Sequence, residues 1–151
     1  MHVAEPHKEL RFTRSGQATV FWLLAAMFTA ASFTLAVAGS YRGENPDLPH
    51  PLWALLPLMV AVGLIRLSVH CTRHAYLILS PLGVEIFPFF KPVSGMQLVP
   101  WSQISAIEAG SGQVTLHFDR ERTAGIHLSL APVARNRRQL LIRALEGRSS
   151  G

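Results

Sequence analysis

The sequence predicts an α+β protein with membrane helices: a transmembrane helical hairpin, then a small antiparallel β-sheet or partial barrel capped by a C-terminal helix. Three observations lead there. Charge is segregated, with no charged residue between Arg14 and Arg42 and none between Asp47 and Arg66. Past His70 the chain breaks into short β-prone runs separated by Gly and Pro turns. A helical pattern then returns between Pro132, suited to a first helical turn, and Gly147, suited to the position just past the end. Hydrophobic residues make up 49% of the 151 residues and charged residues only 15%, against about 25% in average soluble proteins.

Residues 1–17 read as a cytoplasmic N-terminal tail and residues 18–69 as the hairpin, with spans at about 18–39 and 52–69. The first span is an uncharged run of 22 residues. At about 1.5 Å per helical residue it covers roughly 30 Å, the thickness of a bilayer's hydrocarbon core. Trp22 lies near one end and Tyr41 beyond the other, where amphipathic rings favour the headgroup layer. Ala36-Val37-Ala38-Gly39 has the small-residue spacing of a signal-peptidase site. The apolar run exceeds a signal sequence's core, however, and Glu5 and Glu9 precede it, so the segment is read as retained.

The second span has 14 uncharged residues, 52–65, before Arg66, whose long stem can reach the headgroups. Trp53 marks the opposite interface, and Pro57 is expected to kink the first turns. Pro46, Pro49 and Pro51 block helix continuation and turn the chain back. Lys8, Arg11 and Arg14 precede the first span, and Arg66 and Arg73 close the second. The connector holds only Arg42, beside Glu44 and Asp47. Positive charge stays inside, so both termini are expected in the cytoplasm.

Residues 70–147 read as a cytoplasmic domain and 148–151 as a tail. Six strands are predicted, at 75–79, 84–87, 96–99, 104–109, 113–118 and 124–130. Val114, Leu116 and Phe118 alternate, as do Ile126, Leu128 and Leu130, which implies sheets with one buried face. His117 and His127 fall between those positions and are expected to point outward. Trp101, after Pro100, is expected to close one end of the core. In the terminal helix Val133, Leu140, Leu141, Ala144 and Leu145 gather on one face, leaving Arg135, Arg138 and Glu146 for solvent.

The run Leu77-Ile78-Leu79-Ser80-Pro81-Leu82-Gly83-Val84-Glu85-Ile86-Phe87 and the step Val99-Pro100-Trp101-Ser102-Gln103-Ile104 carry a resemblance. With two more strands and a terminal helix, residues 74–145 resemble the pleckstrin-homology-like (PH-like) domains of small bacterial membrane proteins with two N-terminal transmembrane helices. Gly83 matches the turn joining the first strands there. The resemblance implies a multi-pass protein of the bacterial inner membrane and a PH-like barrel, usually of seven strands.

No constellation of catalysis stands out. Asp119 and Glu121 flank Arg120 and Arg122 in a turn and read as solvated charge. Gly110-Ser111-Gly112 precedes a strand, which is neither a nucleophile elbow nor a phosphate-binding loop. His70 and His74 stand at i and i+4, a spacing able to share a metal, but the favoured reading is a polar collar at the membrane surface. The lone Cys71 excludes an intrachain disulfide. No enzyme, catalytic residue, metal or cofactor is expected. The net charge of +5 lacks the interleaved aromatics of a nucleic-acid platform, so its expected partner is the membrane. Candidate lipid- or partner-binding residues are Arg66, Arg73, Lys91, Arg135 and Arg138. The expected function is a membrane-tethered binding or scaffold module engaging a membrane or cytoplasmic protein or anionic lipid, with a homo-oligomer allowed. The alternative is an accessory subunit of a transport or secretion complex, its hairpin packing through Ala26, Ala30 and Ala61.

Overall fold

The computed structural model describes residues 9–149 and contains three α-helices and two small antiparallel sheets. The described residues divide into two compact units: residues 18–70, and residues 9–17 together with 71–149. The first unit is a helical excursion from the second.

In the helical unit, α1 (Ser15–Ser40) is followed by a 3₁₀ turn (Pro51–Ala54) and α2 (Leu55–Arg73). Both helical stretches are long and apolar enough to cross a membrane. Pro57 lies in the first turn of α2, where its missing N–H has no α-helical bond to lose, and the turn before it winds as 3₁₀. His50 caps that 3₁₀ turn, its Nδ1 accepting the Leu52 N–H at 3.2 Å.

Small residues hold the two helices together. α1 buries Ala18, Ala25, Ser32 and Gly39, and the returning stretch buries Ala54, Ala61 and Ser68. Each set recurs every seven residues, so each stays on one face of its helix. Residues this small let the backbones approach closely enough for side chains to reach across. Ser68 Oγ donates to the Ala18 carbonyl at 3.0 Å, and Ser32 Oγ to the Ala54 carbonyl at 2.7 Å. At the connector end, a Cβ on Gly39 would come 2.6 Å from Pro51 Cα. The large apolar side chains point the other way: Phe33 is 71% exposed and Met59 73%. A soluble helix pair buries its large residues and exposes its small polar ones; here the arrangement is inverted.

Among the described residues the second unit has seven strands rather than the six expected. Sheet order is β1 (Leu10–Thr13), β2 (Ala75–Leu79), β3 (Gly83–Ile86), β4 (Gln97–Pro100) in one sheet. The other sheet is β5 (Ala106–Ala109), β6 (Gln113–His117), β7 (Gly125–Ser129). The added strand comes from the stretch expected to be a tail. β1 pairs antiparallel with β2, Leu10 opposite Leu79 and Thr13 opposite Ala75, with a register shift between Phe12 and Thr13. A four-residue strand with one alternation has no sequence signal of its own; Phe12 makes it a strand by burying fully in the domain core.

The sheets remain separate, and no ladder among the described residues closes them into a barrel. They share one core: Phe12, Leu77, Leu79, Val84 and Val99 from the first sheet meet Val114, Leu116 and Leu128 from the second. α3 (Arg135–Ser149) packs Leu141, Ala144 and Leu145 into the same core. Gly147 lies inside α3 rather than past its end, and Arg148, expected in the tail, reaches the Ser80 carbonyl at 3.4 Å. Trp101 opens a 3₁₀ turn (Trp101–Gln103) and packs against the core, its Nε1 donating to the same carbonyl at 2.9 Å. Gly83 is required at the β3–β4 contact, because a Cβ there would collide with the Val99 carbonyl oxygen and lie 2.8 Å from Pro100 Cα.

β6 departs from simple alternation. His117 faces outward but is buried there, and Phe118, expected inside, lies past the strand and is exposed. The outer face of β6 is covered by neighbouring strands: His117 Nε2 meets Glu108 Oε2 at 3.1 Å, and Thr115 Oγ1 meets His127 Nδ1 at 2.9 Å. In the β6–β7 turn Arg122 has φ of 59°, and Asp119 accepts the backbone N–H groups of Thr123 at 2.9 Å and Ala124 at 3.3 Å. Thr123 Oγ1 also donates to Asp119, and these bonds, led by the hydroxyl, hold its carboxyl below the usual range.

If β1 belongs to the core, Phe12→Ala should cost about 3–5 kcal/mol of domain stability, as for other buried aromatics. Denaturant unfolding of the full chain in mild detergent checks this; an unchanged midpoint would make residues 9–13 a mere tail.

Candidate functional site

The described residues that gather where the helical excursion leaves and rejoins the strand-rich unit form the best-defined polar cluster. Arg14 is its centre. It follows β1 and immediately precedes α1, and its backbone N–H donates to the Cys71 carbonyl at 3.2 Å in the last turn of α2. That carbonyl is one of the four a helix C-terminus leaves without an intrahelical donor. Arg11 serves a second, its Nη2 reaching the Arg73 carbonyl at 2.8 Å. The last turn of α2 is thereby bonded to β1 and to the residue that follows it.

The Arg14 side chain turns into the unit rather than outward. Its guanidinium lies 4.6 Å from the Tyr76 ring centroid and 5.3 Å from that of Phe89, with Nη2 3.3 Å from the Phe87 carbonyl. Nη1 donates to Gln17 Oε1 at 3.3 Å. Burial lowers its pKa, opposed by Tyr76 and Cys71, but a guanidinium remains charged throughout the physiological range. Such a cation, desolvated between two rings, is held by their quadrupoles as well as by its hydrogen bonds. Burial raises the pKa of the Tyr76 phenol, against the opposing pull of Arg14 and of the hydrogen bond from its hydroxyl to the Ser129 carbonyl at 2.9 Å.

The start of the α3 region joins the same cluster. The Gly16 N–H donates to the Pro132 carbonyl at 3.0 Å, and a Cβ on Gly16 would lie 3.0–3.1 Å from the carbonyl oxygens of Ala131, Pro132 and Val133. Arg137 stacks on Phe12 of β1 at 5.1 Å. The chain therefore carries Arg11, Arg14, Arg73 and the first turn of α3 to one junction.

The five residues singled out from sequence fall differently. Arg66 and Arg73 are exposed on α2, Arg73 at its last position. Lys91 is exposed in the loop between β3 and β4, four residues past the Phe87 carbonyl that Arg14 holds. Arg135 is exposed in the first turn of α3. Arg138, placed on the wet face by its spacing, is partly buried; its Nε donates to the Val133 carbonyl at 3.0 Å and Nη2 to Ala131 at 3.5 Å. It braces the turn before α3. Sequence reasoning passed over Arg14, which reads as one more positive residue before a span. The only available hint is the Tyr76 and Phe89 rings, far away in the chain.

His70 ends up inside α2 and His74 beyond its last residue, so the two do not share a helix face. No group of three His, Cys, Asp or Glu side chains among the described residues could hold a metal ion. In the helical unit, an open groove of about 560 Å³ is lined by Trp22, Ala25, Ala26, Thr29, Ala30, Phe33 and Ile65. Of the three alanines expected to pack on a partner, Ala26 and Ala30 line this groove, whereas Ala61 is buried between α1 and α2.

The pKa of Tyr76 is raised, so its neutral form is favoured in the fold. Its contribution is complete below the unfolded phenol's ordinary value and is lost as pH rises through the folded one. Tyr76→Phe should cost about 1 kcal/mol at neutral pH for the lost hydrogen bond, and should flatten the fall in stability above about pH 10. Denaturant midpoints of both chains between neutral and alkaline pH measure this; parallel curves would refute it.

No family model, curated protein or solved structure matches the chain.

Proposed function

We propose that the chain is a membrane-tethered, non-catalytic binding or scaffold protein. Its hairpin crosses the bacterial inner membrane twice, and its strand-rich domain is PH-like and cytoplasmic, meeting a protein partner or an anionic lipid surface. The observation that carries this reading is the inverted hairpin inserted between β1 and β2. Small residues face in and large apolar ones out, an arrangement that suits hydrocarbon and would be costly in water.

The insertion also supports the topology. Thr13 and Ala75 are partners across β1 and β2, so the chain leaves the domain and returns to it at neighbouring points. A segment that departs and returns on one side of a bilayer crosses it an even number of times. Arg11, Arg14, Arg66 and Arg73 at these ends, against Arg42 beside Glu44 and Asp47 in the connector, favour the cytoplasm for the domain. Seven strands in a set of four and a set of three, followed by one helix, are the number and order that the PH-like resemblance leads one to expect.

The groove bearing Ala26 and Ala30 favours a second reading, an accessory subunit whose hairpin packs against the helices of a transport or secretion complex. A stoichiometric multi-span partner copurifying in mild detergent would select it.

Fusions to the C-terminus test the first reading. A reporter that fluoresces only in the cytoplasm should be active, and one that works only in the periplasm silent; alkaline carbonate should leave the chain in the membrane pellet. A periplasm-active C-terminal reporter, or release by carbonate, would overturn the proposal.

A further inference from the structure

The loop between β3 and β4, residues 87–96, exposes apolar side chains that the strand-rich unit does not need for its core. Phe90 is 84% exposed and Val93 85%, and Met96 and Leu98 follow them into the open. Lys91 lies between the first two. The loop is built rather than slack. The Gly95 N–H donates to the Lys91 carbonyl at 3.0 Å, and a Cβ on Gly95 would come 2.6 Å from Pro88 Cγ, so the turn closes tightly on Pro88. Phe90 packs edge-on against Phe89 at 4.9 Å. The fold thus presents apolar tips from a fixed turn.

The base of that turn is held beside the start of α1. Arg14 holds the Phe87 carbonyl and stacks on Phe89, and Arg14 directly precedes α1. The base of the loop is therefore fastened to the residue where the chain passes into its apolar helix. We infer that residues 89–93 dip into the interfacial layer of the membrane that α1 spans, with Phe90 and Val93 among the upper acyl chains and Lys91 at the headgroups. This rests on the hairpin being in the bilayer. Exposed rings beside a cation suit that layer, where apolar groups of peripheral segments bury to about 5–10 Å. A protein partner would have to reach the same tips within the headgroup region.

The test uses the full chain with Cys71 replaced by Ala, or by Ser where Ala prevents folding, in vesicles of phosphatidylethanolamine and phosphatidylglycerol. An environment-sensitive fluorophore is attached in turn at Val93→Cys, at Ser111→Cys in the β5–β6 turn, and at Phe33→Cys in α1. Nitroxide-labelled lipids serve as quenchers. The Val93 probe should be blue-shifted and quenched by shallow nitroxides, the Phe33 probe quenched by deeper ones, and the Ser111 probe unaffected. Quenching at Phe33 with none at Val93 overturns the inference and leaves the hairpin reading standing. A blue shift at Val93 without quenching, lost on diluting the chain among more vesicles, assigns the loop to a second copy and likewise overturns it. No quenching at Phe33 removes the hairpin reading and this inference with it.

Discussion

The pairing of β1 with β2 is the constraint on which the other features depend. Arg11 and the Arg73 carbonyl it binds are 62 positions apart, and everything between them belongs to the helical excursion or its junctions. Closing so long a loop has an entropic cost that grows only slowly with length, and a well-formed α1–α2 pair lowers it by bringing the ends together beforehand. The bonds from Arg11 and from the Arg14 N–H to the last carbonyls of α2 complete the closure. Phe12 then turns the join into core packing, because its ring fills space beside Leu77, its partner in β2. A loop closed in this way makes helix and sheet formation mutually supportive.

The same junction accounts for a half-buried cation in a small domain. A guanidinium without partners would be costly to desolvate, and Arg14 offsets the cost with two rings, a carbonyl and an amide oxygen. Lysine has neither the planar face nor the forked donors to do all of these at once. The arrangement ties the β3–β4 loop to the start of α1 without a covalent link. By contrast, the Glu108 contact with Arg122, 3.7 Å between two exposed side chains, contributes little.

Much of the fold was legible in the sequence, and the misses share a cause. β2, β3, β6 and β7 are bounded by turns with definite chemistry, such as Ser80 to Gly83 and the Asp119 turn. The two apolar helices follow from missing charge alone. β1 was not legible because its partner lies beyond the hairpin, and Leu-Arg-Phe-Thr has no local turn to announce it. The burial of His117 was missed because the period-two argument assumes one wet face, whereas β6 is a central strand whose outer face is covered by its neighbours. Arg138 was misplaced for a related reason: helical spacing locates a Cα, but a long side chain can fold back to the carbonyls before the helix. The seven-residue spacing of Ala18, Ala25, Ser32 and Gly39 was readable all along, masked by the general apolarity of the segment. The exposed residues Arg66, Arg73, Lys91 and Arg135 remain candidates for contact with partners, and the junction around Arg14 was invisible to any argument confined to neighbours in the chain.

The origin of β1 on the far side of the hairpin has a consequence for how the domain is handled in isolation. A fragment begun at His74, the natural place to cut on hydropathy, would lack the strand that covers one side of β2. It would expose a row of free N–H and C=O groups on Ala75 to Leu79, next to the cavity vacated by Phe12. An uncovered apolar edge of this kind recruits any strand it meets, and identical fragments would offer one another theirs. During synthesis the chain avoids this, because β1 is made before β2 and the edge has its partner as soon as it is translated. Pairing then waits only on the folding of the α1–α2 stretch, which brings Ala75 next to Thr13.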